Sequence, residues 1–205
     1  MNVQLREATR SFVTLGLLAM YLLLRAVVLV DSAETAFVVW LMIGCSVAAW
    51  LSMWVLLRPL APIAMSISAA SYIVGMLIRA GHETHLWAFP MEYGATADSW
   101  PFAQLMTVVA YALLAYVVWK HHIGHRFLHL HIMAFIVLVV IRTVATDQAN
   151  LGLFTSIVLL RDLIGGTLYI ALAITFYLYG RQCLENAKLQ QVRELGDSVV
   201  KQARI

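Results

Sequence analysis

Charged residues are scarce in this sequence, and their scarcity excludes most soluble folds. Asp, Glu, Lys and Arg make up 12% of the 205 residues, whereas hydrophobic residues make up 62%. Soluble domains carry about 25% charged and about 45–50% apolar residues. A soluble chain of this length has too little interior to bury so much apolar surface. The composition therefore predicts an integral membrane protein, with the lipid bilayer as its first partner.

Cysteines are few, and we find no catalytic motif. The two cysteines, Cys45 and Cys183, lie in different predicted helices at different depths, which excludes a disulfide framework and a CxxC motif. We find no Ser/His/Asp set, no glycine-rich phosphate loop and no carboxylate pair suited to acid–base catalysis. The net charge of +3 comes from bases near one set of helix ends. The sequence therefore predicts a non-enzymatic protein with no cofactor and no nucleic-acid partner.

Six apolar segments dominate what is present, each about as long as the 17–25 residues that a spanning helix needs. We predict an all-α bundle of six transmembrane helices, arranged as three successive hairpins in one domain over residues 1–180. The six segments are residues 11–30, 36–57, 61–78, 102–119, 127–146 and 152–179.

The distribution of lysine and arginine predicts the orientation. If the N-terminus is inside, ten of the 14 Lys and Arg residues fall on the inner side. The outer side then holds Arg25, Arg79, Arg142 and Arg161. Because basic residues are enriched in cytoplasmic loops, both termini are expected in the cytoplasm, and the protein in the inner (cytoplasmic) membrane.

Each outward-going helix carries an arginine near its outer end, namely Arg25, Arg79 and Arg142. Arg79 is expected to snorkel to the interface, since Gly81 and His82 are expected to end its helix. For Arg25 and Arg142 three interpretations stay open. Each side chain can snorkel to the lipid headgroups, the arginines can converge on an outer pocket that binds an anionic group, or they can form ion pairs inside the bundle.

The sixth segment contains two adjacent charges, Arg161 and Asp162, with apolar residues on both sides. Adjacent side chains point about 100° apart on a helix, so the two cannot pair well with each other. We expect Asp162 to pair with Arg142 across the last hairpin. The alternative is that the spanning helix starts near Leu163, which would leave both charges at the outer surface.

Histidines form a cluster at the predicted inner end of the bundle. His125 and His129 are four residues apart and share one helical face, and His121 extends that face only if the helix begins early, which Gly124 opposes. Imidazoles at this spacing are good ligands for transition metals, so a metal site at His121, His125 and His129 is one interpretation. Histidines lying near lipid headgroups are the other. A haem would need two axial ligands at one depth, which the inner and outer histidines do not provide.

Residues 181–205 are predicted to continue the last helix as an amphipathic cytoplasmic tail. One sector of the helical wheel is apolar and includes Leu189, Val192, Leu195 and Val199. Such a face docks on a protein partner, on a second copy, or on a membrane surface.

Three functions remain open from the sequence. The first is oligomeric assembly or partner docking in the inner membrane, including a pore-forming subunit of the holin kind. The second is a small solute or ion transporter or channel with an outer anion site lined by the arginines. The third is a membrane redox protein that binds a metal or haem.

Overall fold

The computed structural model describes residues 3–31, 36–83, 101–124, 126–145 and 151–202. All regular secondary structure in these residues is α-helical, and each of the six predicted apolar segments is confirmed as a helix. The helices are α1 Val3–Asp31, α2 Ala36–Leu57, α3 Pro62–Glu83, α4 Pro101–Lys120, α5 Arg126–Ala145 and α6 Leu151–Gln202.

Two helix ends differ from the prediction. Helix α1 begins at Val3, before its apolar run, because its first turns pack beside α6, where the Tyr179 hydroxyl donates to Glu7 Oε2 at 3.3 Å. Helix α3 continues to Glu83, so the predicted end at Gly81 and His82 is wrong. A glycine costs a helix about 1 kcal/mol, and the complete burial of Ala80 favours continuing the helix through this position.

The six helices form a closed ring. Each helix packs against its neighbours in chain order, and α1 packs against α6. Helices α1 and α6 are closely packed where they close the ring, since Ser11 Oγ donates a hydrogen bond to the Phe176 carbonyl oxygen at 2.6 Å. A Cβ atom at Gly180 would lie 3.2 Å from Ser11 Cβ, so the glycine permits the close approach.

The ring is apolar on its outside as well as in its core. Leu23, Ile63 and Leu163 are each exposed by more than 60%, which is typical of helices that face lipid. Four helices contain stretches long and apolar enough to cross a membrane: Val3–Val27, Trp40–Leu57, Phe102–Lys120 and Leu159–Leu195. Shorter apolar stretches occur in the other two, at Pro62–Ile78 and Leu128–Ile141.

Helix α6 is far longer than a membrane crossing requires. Its 52 residues extend about 78 Å at 1.5 Å per residue, whereas a bilayer core is about 30 Å thick. Beyond Gly180, Cys183 and Ala187 are buried on one side of the helix, whereas Leu189, Val192 and Leu195 are exposed by 60–67%. The last turns of α6 therefore present an apolar face that the ring leaves uncovered.

Candidate anion site inside the helix ring

An aromatic side chain from each helix meets at the centre of the ring. The Trp50 and Tyr72 rings stack with centroids 4.2 Å apart, the Tyr21 and Tyr169 rings lie 4.6 Å apart, and Phe135 lies 4.8 Å from Tyr111. These contacts join all six helices at mid-height. We call this set the central aromatic cluster: Tyr21, Trp50, Tyr72, Tyr111, Phe135 and Tyr169.

A hydrogen-bond network of four hydroxyl groups runs through this cluster. The Tyr169 hydroxyl is its hub, since it contacts the Tyr72 hydroxyl at 2.8 Å, accepts from the Tyr111 hydroxyl at 3.2 Å and lies 3.5 Å from Ser46 Oγ. Ser46 and Tyr72 are also hydrogen-bonded to each other. The four hydroxyl groups supply four protons, one for each of these four hydrogen bonds. The network therefore needs no outside partner, and it links α2, α3, α4 and α6.

A small cavity lies against the central aromatic cluster, and we call it the arginine cavity. Its volume is about 100 Å³, and residues of α1, α3, α4, α5 and α6 line it. One water occupies roughly 30 Å³ in the liquid, so the space suits a few waters or one small oxyanion. Its polar lining outside the cluster consists of Arg25, Gln104, Thr107 and Arg161.

The antiparallel packing of α1 and α6 brings the two guanidinium groups to this cavity. Arg25 lies one turn beyond Tyr21, and its Nη1 donates to the Tyr21 hydroxyl at 3.3 Å. Arg161 lies about two turns before Tyr169 on α6. Gly165 separates them, and a Cβ atom there would lie 3.2 Å from Phe135 Cε2, so α5 approaches α6 closely and forms the wall of the cavity.

The chemistry of this lining favours an anion. A guanidinium group offers a planar set of N–H donors that matches the oxygens of a carboxylate or phosphate. Gln104 adds an amide group, whereas the Thr107 hydroxyl already donates its proton to the Ala103 carbonyl oxygen at 2.9 Å. Both arginines are half-buried, so the local dielectric constant is lower than in water, which strengthens each charge-assisted hydrogen bond.

The structure places two of the four predicted outer arginines at this cavity. Arg25 and Arg161, which are 136 positions apart in the sequence, line the same cavity. The side chains of Arg79, Arg142 and Asp162 lie outside the described part of the structure. The ion pair between Arg142 and Asp162 consequently stays a prediction.

The inner histidines do not share the extended helical face that an early start of α5 would create. Helix α5 begins at Arg126, and His122 and Gly124 have φ values of 50° and 76°, so His121 lies in a turn after α4. His125 is outside the described residues. Among those described, no group of three metal-ligating side chains is assembled, and a metal site at His121, His125 and His129 stays a prediction.

The tyrosines of this cluster were not predicted as site residues, although the sequence carries a signal for them. Four of the six apolar segments contain a tyrosine near the middle: Tyr21, Tyr72, Tyr111 and Tyr169. A phenol at that depth has no water to bond, so it must find a partner inside the bundle. Tyrosines at one depth in several helices therefore indicate a shared network.

Comparisons of the chain with family models, curated proteins and solved structures found no match.

Proposed function

We propose that the chain is a multi-pass protein of the inner membrane that takes up a small anion into the arginine cavity and transports it. The membrane assignment is supported by four helices of sufficient length and apolarity and by the apolar outer surface of the ring. The excess of basic residues at one set of helix ends supports cytoplasmic termini. In this orientation the arginine cavity belongs to the outer half of the bundle.

One observation carries the assignment of the ligand: two guanidinium groups from helices that close the ring line one cavity. Charged residues within membrane bundles are costly and are typically functional. Below the cavity lie the hydroxyl network and the buried side chains of Leu18, Met53 and Leu172. An anion that enters from the outside therefore meets a closed floor, as in one access state of a carrier.

The test measures the unfolding temperature of the purified wild type and of arginine variants. Phosphate, sulfate and acetate are the anions added as probes. An anion that binds the folded state raises the unfolding temperature. We expect at least one probe to stabilise the wild type, and Arg25→Gln and Arg161→Gln to weaken its binding by about 10- to 100-fold, as expected for a lost charged hydrogen bond. Arg25→Lys, which keeps the charge but lacks the planar set of donors, should fall between.

Arg6→Gln is the matched control, because Arg6 is exposed near the start of α1, far along the helix from the cavity. It should bind the probe as the wild type does. Uptake of the same probe into proteoliposomes then tests transport. Equal responses of the wild type and both glutamine variants to every probe would contradict the proposed site.

A second candidate function is oligomeric assembly through the tail of α6. The observation that favours it is the exposed apolar face of Leu189, Val192 and Leu195, which lies opposite the buried Cys183 and Ala187 at 3.6 residues per turn. Mass measurement in nanodiscs should give an oligomer for the wild type and for the control Gln191→Lys, and a monomer for Val192→Lys. A monomeric wild type would contradict this assembly.

A further inference from the structure

A second, larger depression lies at the opposite end of the ring from the arginine cavity. It has a volume of about 840 Å³ and is bounded by the α2–α3 turn, the α4–α5 turn and α6. Its walls are mostly apolar, and we call it the inner groove. The apolar residues that line it are Leu60, Ile123, Leu128, Ala171, Ile174 and Leu178.

The inner groove lies where the apolar part of the chain meets its charged part. Helix α4 ends at Lys120, directly before the lining residue His121, and α6 reaches Arg181 one turn after Leu178. From Leu178 back to Ala171, the α6 wall extends about 10 Å toward the middle of the bundle. In the proposed orientation, the groove therefore begins at the inner headgroup level and extends along the acyl chains.

The polar end of the groove holds an imidazole with an unused nitrogen. His121 lines the groove, and its buried Nε2 has no hydrogen-bond partner among the described residues. A buried donor or acceptor without a partner is costly. A rotation of the His121 ring toward the groove would give Nε2 a polar partner there and remove that cost.

The backbone turn that carries this imidazole is held in place. Gly124 has a φ of 76°, and a Cβ atom there would lie 2.8 Å from Thr175 Cγ2 on α6. The α4–α5 turn is therefore pressed against α6 at the groove. A rigid polar end and a long apolar wall match the two parts of a phospholipid.

We propose that the inner groove binds one anionic phospholipid of the inner leaflet. The His121 ring rotates toward the groove and its Nε2 donates a hydrogen bond to the lipid phosphate, near the positive charges of Lys120 and Arg181. One acyl chain lies along Ile174 and Leu178. The assignment rests on the proposed insertion in a membrane but not on the arginine cavity. The excess of bases at this end complements the lipid charge, which favours a phospholipid over an apolar protein segment.

The test uses two exposed isoleucines one turn apart on α6. Ile174 lines the groove, whereas Ile170 is similarly exposed but does not line it. Ile174→Trp fills the groove without entering the core, and Ile170→Trp is its matched control. Delipidated protein is titrated with 1-palmitoyl-2-oleoylphosphatidylglycerol, and the bound lipid is counted by native mass spectrometry.

We expect one tightly retained lipid on the wild type and on Ile170→Trp, and at least tenfold weaker binding to Ile174→Trp. His121→Phe keeps a ring of similar shape and removes the N–H donor, so it should weaken binding by about tenfold. Equal retention by the two tryptophan variants, or an unchanged His121→Phe, would overturn the assignment.

Lipid binding at the inner groove can be tested separately from anion binding at the arginine cavity. Arg25→Gln should leave lipid retention unchanged, because the arginine cavity lies at the other end of the ring. A chain that stays monodisperse in water without detergent would instead contradict membrane insertion itself, whatever the variants show.

Discussion

The hydroxyl network predicts a graded series of stability losses. Tyr169 takes part in three of the contacts, Ser46 in two and Tyr111 in one. The free energy of unfolding should therefore fall most in Tyr169→Phe, less in Ser46→Ala and least in Tyr111→Phe. The tyrosine replacements keep the ring, so the 4.6 Å contact between Tyr21 and the ring at position 169 is retained, and the loss reports hydrogen bonds.

The magnitude follows from the number of contacts removed. Hydrogen bonds between helices in membrane bundles contribute about 0.6 kcal/mol each. Tyr169→Phe should therefore cost about 2 kcal/mol, Ser46→Ala about 1 kcal/mol and Tyr111→Phe about 0.6 kcal/mol. Tyr169→Phe also leaves the buried Tyr111 donor without its acceptor, which adds to the larger value.

Unfolding in mixed micelles, with sodium dodecyl sulfate added to dodecylmaltoside and helicity followed by circular dichroism, measures these losses. The wild type and Arg6→Gln serve as references, because Arg6 is exposed and remote from the network. A Tyr111→Phe variant that loses as much stability as Tyr169→Phe would refute the hub. Losses near zero for all three would show that the hydroxyls contribute no net stability.

Three further predictions concern orientation, the inner turn and the outer ion pair. A cysteine at Gln190 should react with an impermeant maleimide only from the cytoplasmic side, and labelling of intact cells from outside would reverse the topology. Gly124→Ala should destabilise the fold by about 1–3 kcal/mol, because φ is 76° and the new Cβ meets α6; Gly44→Ala, with open space around it, should be neutral or stabilising by up to about 1 kcal/mol. Arg142→Leu and Asp162→Leu should each lower the folded yield, and the double variant should recover part of it; losses that simply add would exclude the pair.

The sequence by itself determined the number of helices and most of their positions. The apolar segment predicted at 36–57 is helix α2, Ala36–Leu57, and the segment at 127–146 is α5, Arg126–Ala145. The physical reason is local, since a run of about 20 apolar residues in lipid must satisfy its own backbone hydrogen bonds and so forms a helix. The continuation of α3 to Glu83 was mispredicted, because a glycine lowers helix propensity by only about 1 kcal/mol and burial at Ala80 outweighs it.

The tertiary structure alone decided which side chains meet. Arg25 and Arg161 line one cavity only because α1 packs against α6 and closes the ring, a contact between the two ends of the chain that no local pattern indicates. A helix that is apolar around its whole circumference does not reveal which side faces its neighbours. The helix faces that pack together are set by close contacts at Gly165 and Gly180 and by hydroxyl pairs such as Tyr72 with Tyr169. These interactions exist only once the helices have come together.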